Sequence, residues 1–201
     1  MSEEIRQFNL IYTLPMRTIT YHSMDGIEYP CYLQPFTPGI RCLYNPMRGF
    51  WNEKGIPFKV NLGHLKWESV NDITLDGVLT LPQSYTYRQT VSATTRQNKL
   101  TPLLEYRIFD MVLYGTFEGR WDTFWQSYWD DEHPKYENKP DRLMRTLTYL
   151  IDNSNELEET VGFLLDRGII RDYVVLRLNS CEYKMGQKNR DVRKVLIDDL
   201  L

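Results

Sequence analysis

Side chains suited to metal or nucleophilic chemistry are sparse in this sequence. His22, His64 and His133 lie far apart, and Cys31, Cys42 and Cys181 are scattered and odd in number. Neither set has the spacing of a zinc site or a disulfide framework, and reduced core or surface residues are the expectation for both. Cations, carboxylates and aromatics do group, in short runs separated by long intervals. Arg41, Arg177 and Lys194 are of a type to line an anion site, or to pair with Asp76 and Asp172. Phe109 is of a type to stack on a base or to fill a core. Trp121, Phe124, Trp125, Tyr128 and Trp129 crowd nine residues, with Asp130, Asp131 and Glu132 beside them. Five aromatics so close together cover more than one helical face, so part of the set is expected at the surface.

The elements that must position these residues follow from pattern. The first part of the chain, to about residue 115, reads as strands and turns. Leu33, Ile40, Arg41, Cys42 and Leu43 lie in or beside one strand candidate, Asp72–Leu79 is another, and Tyr106–Leu113 is a third, rich in β-branched and aromatic residues. Pro38-Gly39, Pro46, Gly49, Gly55 and Pro57 punctuate the spaces. The second part reads as more helical. The Trp121–Asp131 aromatics recur at helical spacing, Pro134 and Pro140 break the chain, and Leu143–Ile151 is a second helical candidate. A third helix has Asn155 as N-cap with Glu158 three residues on, a stripe of Leu157, Val161, Leu164 and Leu165, and Gly168 as its stop. Strands follow at Asp172–Leu178 and Arg193–Ile197. This order predicts an α+β protein of antiparallel sheets with flanking helices, in a single domain over 1–201.

Composition sets the outer bounds. The chain has 201 residues, 42% hydrophobic and 25% charged, which suits a soluble protein with a real core. No apolar run approaches a membrane span and the N-terminus lacks the apolar region of a signal peptide, so a cytoplasmic protein without membrane attachment is expected. The formal net charge of −3 does not advertise nucleic-acid binding. A local basic cluster, Lys184, Lys188, Arg190, Arg193 and Lys194, is the exception.

Read in order, the short runs resemble the motifs of the covalent nucleotidyltransferase superfamily, in particular the adenylation domain of ATP-dependent polynucleotide ligases. That family carries Lys-x-Asp-Gly-x-Arg in a Tyr-Pro-x-Tyr-x-Gln-Pro context. This chain reads Tyr29-Pro-Cys-Tyr-Leu-Gln-Pro-Phe-Thr-Pro-Gly-Ile-Arg-Cys42. Gln34, Pro35, Gly39, Ile40, Arg41 and Cys42 keep the frame, while Phe36 takes the nucleophile's position and Pro38 the acidic one. The family's Ser-Arg-x-Gly turn corresponds to Trp51-Asn-Glu-Lys-Gly55, without its arginine. Leu-Asp-Gly-Glu-Leu corresponds to Leu75-Asp-Gly-Val-Leu79, with Val78 for the glutamate. Leu104-Glu-Tyr-Arg-Ile-Phe-Asp-Met111 is similar to Tyr-x-x-Phe-Asp, with Phe109 as the base-stacking ring; Val91–Arg96 takes the place of a short helix before it, and Phe117-Glu-Gly-Arg120 follows. The metal-binding motif corresponds to Asp172-Tyr-Val-Val-Leu-Arg177, in which Tyr173 replaces a glycine. The last motif corresponds to Tyr183-Lys-Met-Gly-Gln-Lys-Asn-Arg190, with Lys194 left of a phosphate-binding lysine pair. Ser23-Met-Asp-Gly-Ile-Glu28 also holds Asp-Gly, with neither lysine nor arginine and with the wrong neighbours.

The resemblance implies a nucleotidyltransferase fold without the OB-fold domain that DNA-joining relatives add. It also implies lost chemistry. The family's first step is attack by a lysine amine on the α-phosphate of ATP, and a phenyl ring has no lone pair to offer. The expectation is therefore a pseudoenzyme without cofactor or resident metal, Asp172 being the one residue weighed as a ligand. A binding or inhibitor protein ranks first, of viral or mobile-element kind and directed at a nucleic-acid-processing or host-defence enzyme, with Trp121, Trp125, Tyr128 and Trp129 meeting a protein partner. A nucleotide sensor or sponge using Gln34, Arg41, Phe109, Arg177 and Lys194 is the alternative. A nucleic-acid-binding remnant using Lys184, Lys188, Arg190 and Arg193 is a third. A transferase with a relocated nucleophile, Lys54 or Lys184, ranks last.

Overall fold

The computed structural model describes residues 16–21, 26–70, 73–129, 138–184 and 186–201. They group into two compact units, one holding Thr37–Tyr114 and Gly119–Arg145, the other Met16–Phe36, Gly115–Glu118 and Thr146–Leu201. Each unit is built on one five-stranded sheet.

In the first unit β3 (Ile40–Asn45), β4 (Gly49–Asn52), β5 (Thr74–Thr80), β6 (Glu105–Val112) and β7 (Leu143–Arg145) pair in the order β4-β3-β5-β6-β7. All neighbours are antiparallel except β6 and β7, which run parallel. Alternation along β3 and β6 sends Tyr44 and Tyr106 to a face where Tyr44 stacks on Phe50 and Phe50 meets Tyr106 edge-on. The buried Tyr106 hydroxyl is within hydrogen-bonding distance of the Cys42 and Leu75 carbonyls, at 3.1 and 2.9 Å, so its polar end is satisfied. The Asp-Gly of β5 has a packing cause. A β-carbon on Gly77 would collide with the Arg107 backbone and the Tyr106 ring of β6, at the point where the β5–β6 register shifts. Helix α1 (Tyr87–Thr95) begins at a capping box formed by Thr86 and Gln89.

In the second unit β1 (Arg17–Tyr21), β2 (Cys31–Pro35), β8 (Tyr149–Ile151), β9 (Tyr173–Leu178) and β10 (Lys188–Leu196) pair in the order β1-β10-β9-β2-β8. Here β1 and β10 run parallel and the rest antiparallel. One face of this sheet, through Cys31, Leu33, Ile151, Val174, Leu176 and Val195, packs on Leu157, Val161 and Leu164 of α3 (Ser154–Asp166). Each of these fully buried aliphatic side chains contributes roughly 1.5–3 kcal/mol over leaving it exposed.

The α+β architecture of sheets with flanking helices is as expected, with the sheets mixed at the β1–β10 and β6–β7 edges. Four local readings are corrected. Leu143–Ile151 is two short edge strands, β7 and β8, because each half pairs with a distant strand in a different sheet. The stretch read as one strand candidate around Leu33–Leu43 is β2 and β3, which also belong to different sheets. The α3 cap is Asn153, whose side chain accepts from the Glu156 N–H, while Glu156 reaches back to the Asp152 N–H. Helix α2 (Phe117–Phe124) begins before Trp121 and passes into a π-helical turn, Trp125–Trp129. Asp72, His22, His133, Pro134, the Ser23–Asp25 start of the second Asp-Gly run, Met185 and the acidic run Asp130–Glu132 lie outside the described residues. No described helix is long and apolar enough to cross a membrane.

Candidate active site

The motif residues fall into two groups, one in each unit. In the first unit, Arg41 on β3 forms a bidentate pair with Asp76 on β5, Nε to Oδ1 at 2.7 Å and Nη2 to Oδ2 at 2.6 Å. The same guanidinium lies 4.3 Å from the centroid of the Phe109 ring. Thus the arginine of the first motif, the aspartate of Leu75-Asp-Gly and the aromatic of the Phe-Asp run are joined in one stack. Asp76 is fully buried and Arg41 mostly so, which makes this a charge-assisted, geometrically fixed pair. Val78 stands next along the same face of β5, across from Arg41 on β3, and brings no carboxylate. Gly39 is held by crowding, since a β-carbon there would come within 2.7 Å of the Leu79 carbonyl oxygen. Burial pushes the Cys42 thiol well above its ordinary range, with Asp76 adding to the rise and Arg41 opposing it. Cys42 is therefore an inert core thiol.

Asp110, which follows Phe109, is engaged elsewhere. Its oxygens accept from Arg120 Nε and Nη2, each at 3.0 Å, and both side chains are essentially removed from solvent. The Phe117-Glu-Gly-Arg120 segment thus supplies a buried counter-ion on α2.

In the second unit, Gln34 on β2 and Arg177 on β9 are both buried. Arg177 Nε donates to Gln34 Oε1 at 2.8 Å, and Gln34 Nε2 donates to Thr148 at 3.0 Å. The Arg177 guanidinium also lies 4.8 Å from the Phe117 ring centroid. Phe36 follows β2, and its ring meets the Tyr173 ring edge-on at 5.9 Å. The Lys194 ammonium lies 3.9 Å from the Phe36 centroid and 3.8 Å from that of Tyr173. Two changes relative to the ligase pattern, phenylalanine for the nucleophile and tyrosine for a glycine, thus form one structure around the surviving lysine. Burial lowers the Lys194 pKa, against the nearby Asp172, which raises it. The two ring faces attract a cation and act on the same side as Asp172.

Asp172 is exposed, and among the described residues no group of three histidine, cysteine or acidic side chains is placed to hold a metal. Of the basic cluster, Lys188 and Arg190 are exposed on β10, Lys184 lies 3.7 Å from Asp191, and Arg193 donates to the Gly26 carbonyl. Lys54, on an exposed turn of the first unit, has its N–H tied to Asn52.

The aromatic segment divides. Trp121 and Tyr128 are buried at 8% and 5% exposure, Trp129 is half-buried, and Trp125 is 42% exposed. Phe124, Tyr128 and Trp129 pack around the fully buried Trp67. Trp121, Phe124 and Tyr128 keep helical spacing on the buried face, and Trp125 lies off it. The sequence reading did not single out Arg145. Its guanidinium lies 3.5 Å from the Trp125 centroid and 5.9 Å from that of Trp121. Nothing in the three-residue strand β7 signals that placement, because the partner rings are about twenty residues away.

Two mixed sheets with flanking helices, bearing these motifs in this order, define the nucleotidyltransferase fold of ATP-dependent DNA ligase adenylation domains. Among solved structures the chain is similar to the Chlorella virus DNA ligase-adenylate, with 21% identity and a TM-score of 0.72, over 91% of this chain and 67% of that one. It is similar to the Lig E DNA ligases at 16% identity and a TM-score of 0.68, over 91% of this chain and 68% of that one. The bacteriophage T7 ATP-dependent ligase in complex with ATP gives 11% identity and a TM-score of 0.62, over 92% of this chain and 69% of that one. The chain spans about two thirds of the length of each. No protein-family model and no curated protein sequence matches it.

Proposed function

We propose that this is a catalytically inactive protein on a ligase scaffold, one that acts by binding, with another protein as its partner. The observation that supports inactivity is Phe36. At the position where the ligase pattern sets an amine, the chain sets a ring that packs on Tyr173 and faces Lys194. Attack on an α-phosphate needs an unprotonated amine aimed at phosphorus. Lys194 lies against two π faces, which engage its ammonium in place of a nucleotide phosphate. The groups that would receive a nucleotide are engaged as well: Arg41 by Asp76 and Phe109, Arg177 by Gln34 and Phe117. A role as inhibitor of a nucleic-acid-processing enzyme fits a chain that keeps the scaffold without the reaction.

A second reading, DNA binding, draws on the Lig E structures, described as binding DNA with a minimal scaffold, and on exposed Lys188 and Arg190. The net charge of −3 weighs against it. The test of inactivity is incubation with α-labelled ATP and Mg²⁺. No covalent protein–AMP adduct is expected. An acid-labile phosphoramidate on any lysine overturns the reading.

A further inference from the structure

Among the described arginines of the first unit, Arg48, Arg88 and Arg96 are exposed, and all the buried or half-buried ones but one have a polar partner, Arg142 donating to the Leu103 carbonyl. Arg41 has Asp76, Arg107 has Glu105 and Arg120 has Asp110 as ion-pair partners. Arg145 is half-buried and, among the described residues, makes neither hydrogen bond nor ion pair. Its interactions are the faces of Trp125 and Trp121. A guanidinium has five N–H donors in a planar fork, and stacking on an indole uses none of them. Burial lowers the Arg145 pKa, the direction of a cation that has lost water without gaining a counter-ion. Beside it, Trp125 keeps 42% of its surface exposed.

We propose that Trp125 and Arg145 form a docking site for a protein partner, taking an aspartate or glutamate carboxylate on the guanidinium and an apolar side chain on the exposed indole. The proposal rests on the binding reading above and names its chemistry. Tryptophan and arginine are the residues most enriched where interfaces concentrate their energy, and a bidentate carboxylate is what the planar fork fits best. Charge selects protein over nucleic acid. A nucleic-acid strand brings a phosphate with every nucleotide and needs a row of cations to meet them. The nearest helix instead exposes Asp122 and Glu118, one turn and two turns before Trp125. Lys139, which faces Trp129, directs its ammonium to the Leu143 carbonyl. A single cation flanked by acids accepts one carboxylate and repels a polyanion.

The test uses a short capped peptide with one glutamate between two leucines as the acidic–apolar probe, and oligo-deoxythymidine in parallel, against the full chain without ATP. Binding is followed by titration and by the NMR resonance of the Arg145 Nε–H. Saturable peptide binding that moves this resonance is expected, weakened about tenfold in Arg145→Gln and in Trp125→Ala. Arg145→Lys, which keeps charge but loses the planar fork, should also weaken it; this variant and Trp125→Ala decide the matter if Arg145→Gln fails to fold. The proposal is overturned by absent peptide binding, by equal binding in wild type and variants, or by oligo-deoxythymidine binding more tightly than the peptide through the same pair. None of these results touches the adenylate assay, so a failed docking site and a failed inactivity reading are told apart.

Discussion

The two units neutralise their motif cations by different means. In the first, Arg41 and Arg120 each have an aspartate, through two N–H donors at 2.6–3.0 Å. In the second, Lys194 has two ring faces, and Arg177 has an amide oxygen and one ring. Carboxylate-closed cations are rigid and strongly coupled, and removing one partner leaves a buried charge with no counter-ion. Ring-closed cations are held more weakly, whether half-buried like Lys194 or buried like Arg177. The difference lies in where the partner of each cation comes from. Beside Asp76 the charge is locked by a residue the ligase pattern already contains. Beside Phe36 it is covered by residues that replace the pattern.

The largest test of this contrast is Asp110→Ala. It removes the carboxylate that the buried Arg120 guanidinium faces, and should cost about 3–5 kcal/mol in denaturant unfolding. A loss below about 1 kcal/mol would break the carboxylate side of the comparison. Asp76→Ala comes next, because Arg41 keeps about a fifth of its side-chain exposure and can recover water. A loss of roughly 1–3 kcal/mol is expected there. If Asp76→Ala proves more costly than Asp110→Ala, burial is not what ranks the pairs.

Much of this was legible in the sequence, in uneven measure. The Gln34–Cys42 frame, Leu75-Asp-Gly, Phe109-Asp110 and Tyr183–Arg190 gave the fold because motif order carries it even where individual motif residues differ. The α3 stripe Leu157, Val161 and Leu164 was legible because helical periodicity is local, but the cap moved from Asn155 to Asn153 because two asparagines two residues apart offer the same signal. Leu143–Ile151 misled for the opposite reason. Apolar residues at 143, 144, 147, 150 and 151 imitate a helical face, whereas pairing with β6 and β2 is non-local and leaves no periodic trace. The aromatic segment was legible in part: five crowded aromatics required an exposed member, which is Trp125, while Trp121, Phe124 and Tyr128 keep helical spacing on the buried face. The engagement of each cation was the least visible feature. Phe36, Tyr173 and Lys194 stand far apart in sequence, and only the β2–β9–β10 register brings them together.

The smallest predicted effect is the sharpest probe of the ring-closed side. Lys194→Met keeps the length of the side chain and removes the charge, and Tyr173→Leu keeps an apolar side chain and removes one ring. Each variant alone mixes several losses: Lys194→Met also relieves the desolvation that lowers the lysine's pKa, and Tyr173→Leu also disturbs the edge contact with Phe36. The double-mutant cycle cancels these and isolates the coupling between ammonium and ring. With the ammonium 3.8 Å from the Tyr173 centroid and partly buried, a coupling of about 0.5–1 kcal/mol is expected. It should change little between low and ordinary salt, because π faces carry no net charge for ions to screen. A coupling within error of zero would mean that Lys194 lies against the rings without being held by them. The lysine would then be available to an anion, which would move the nucleotide sensor ahead of the inactive binding protein.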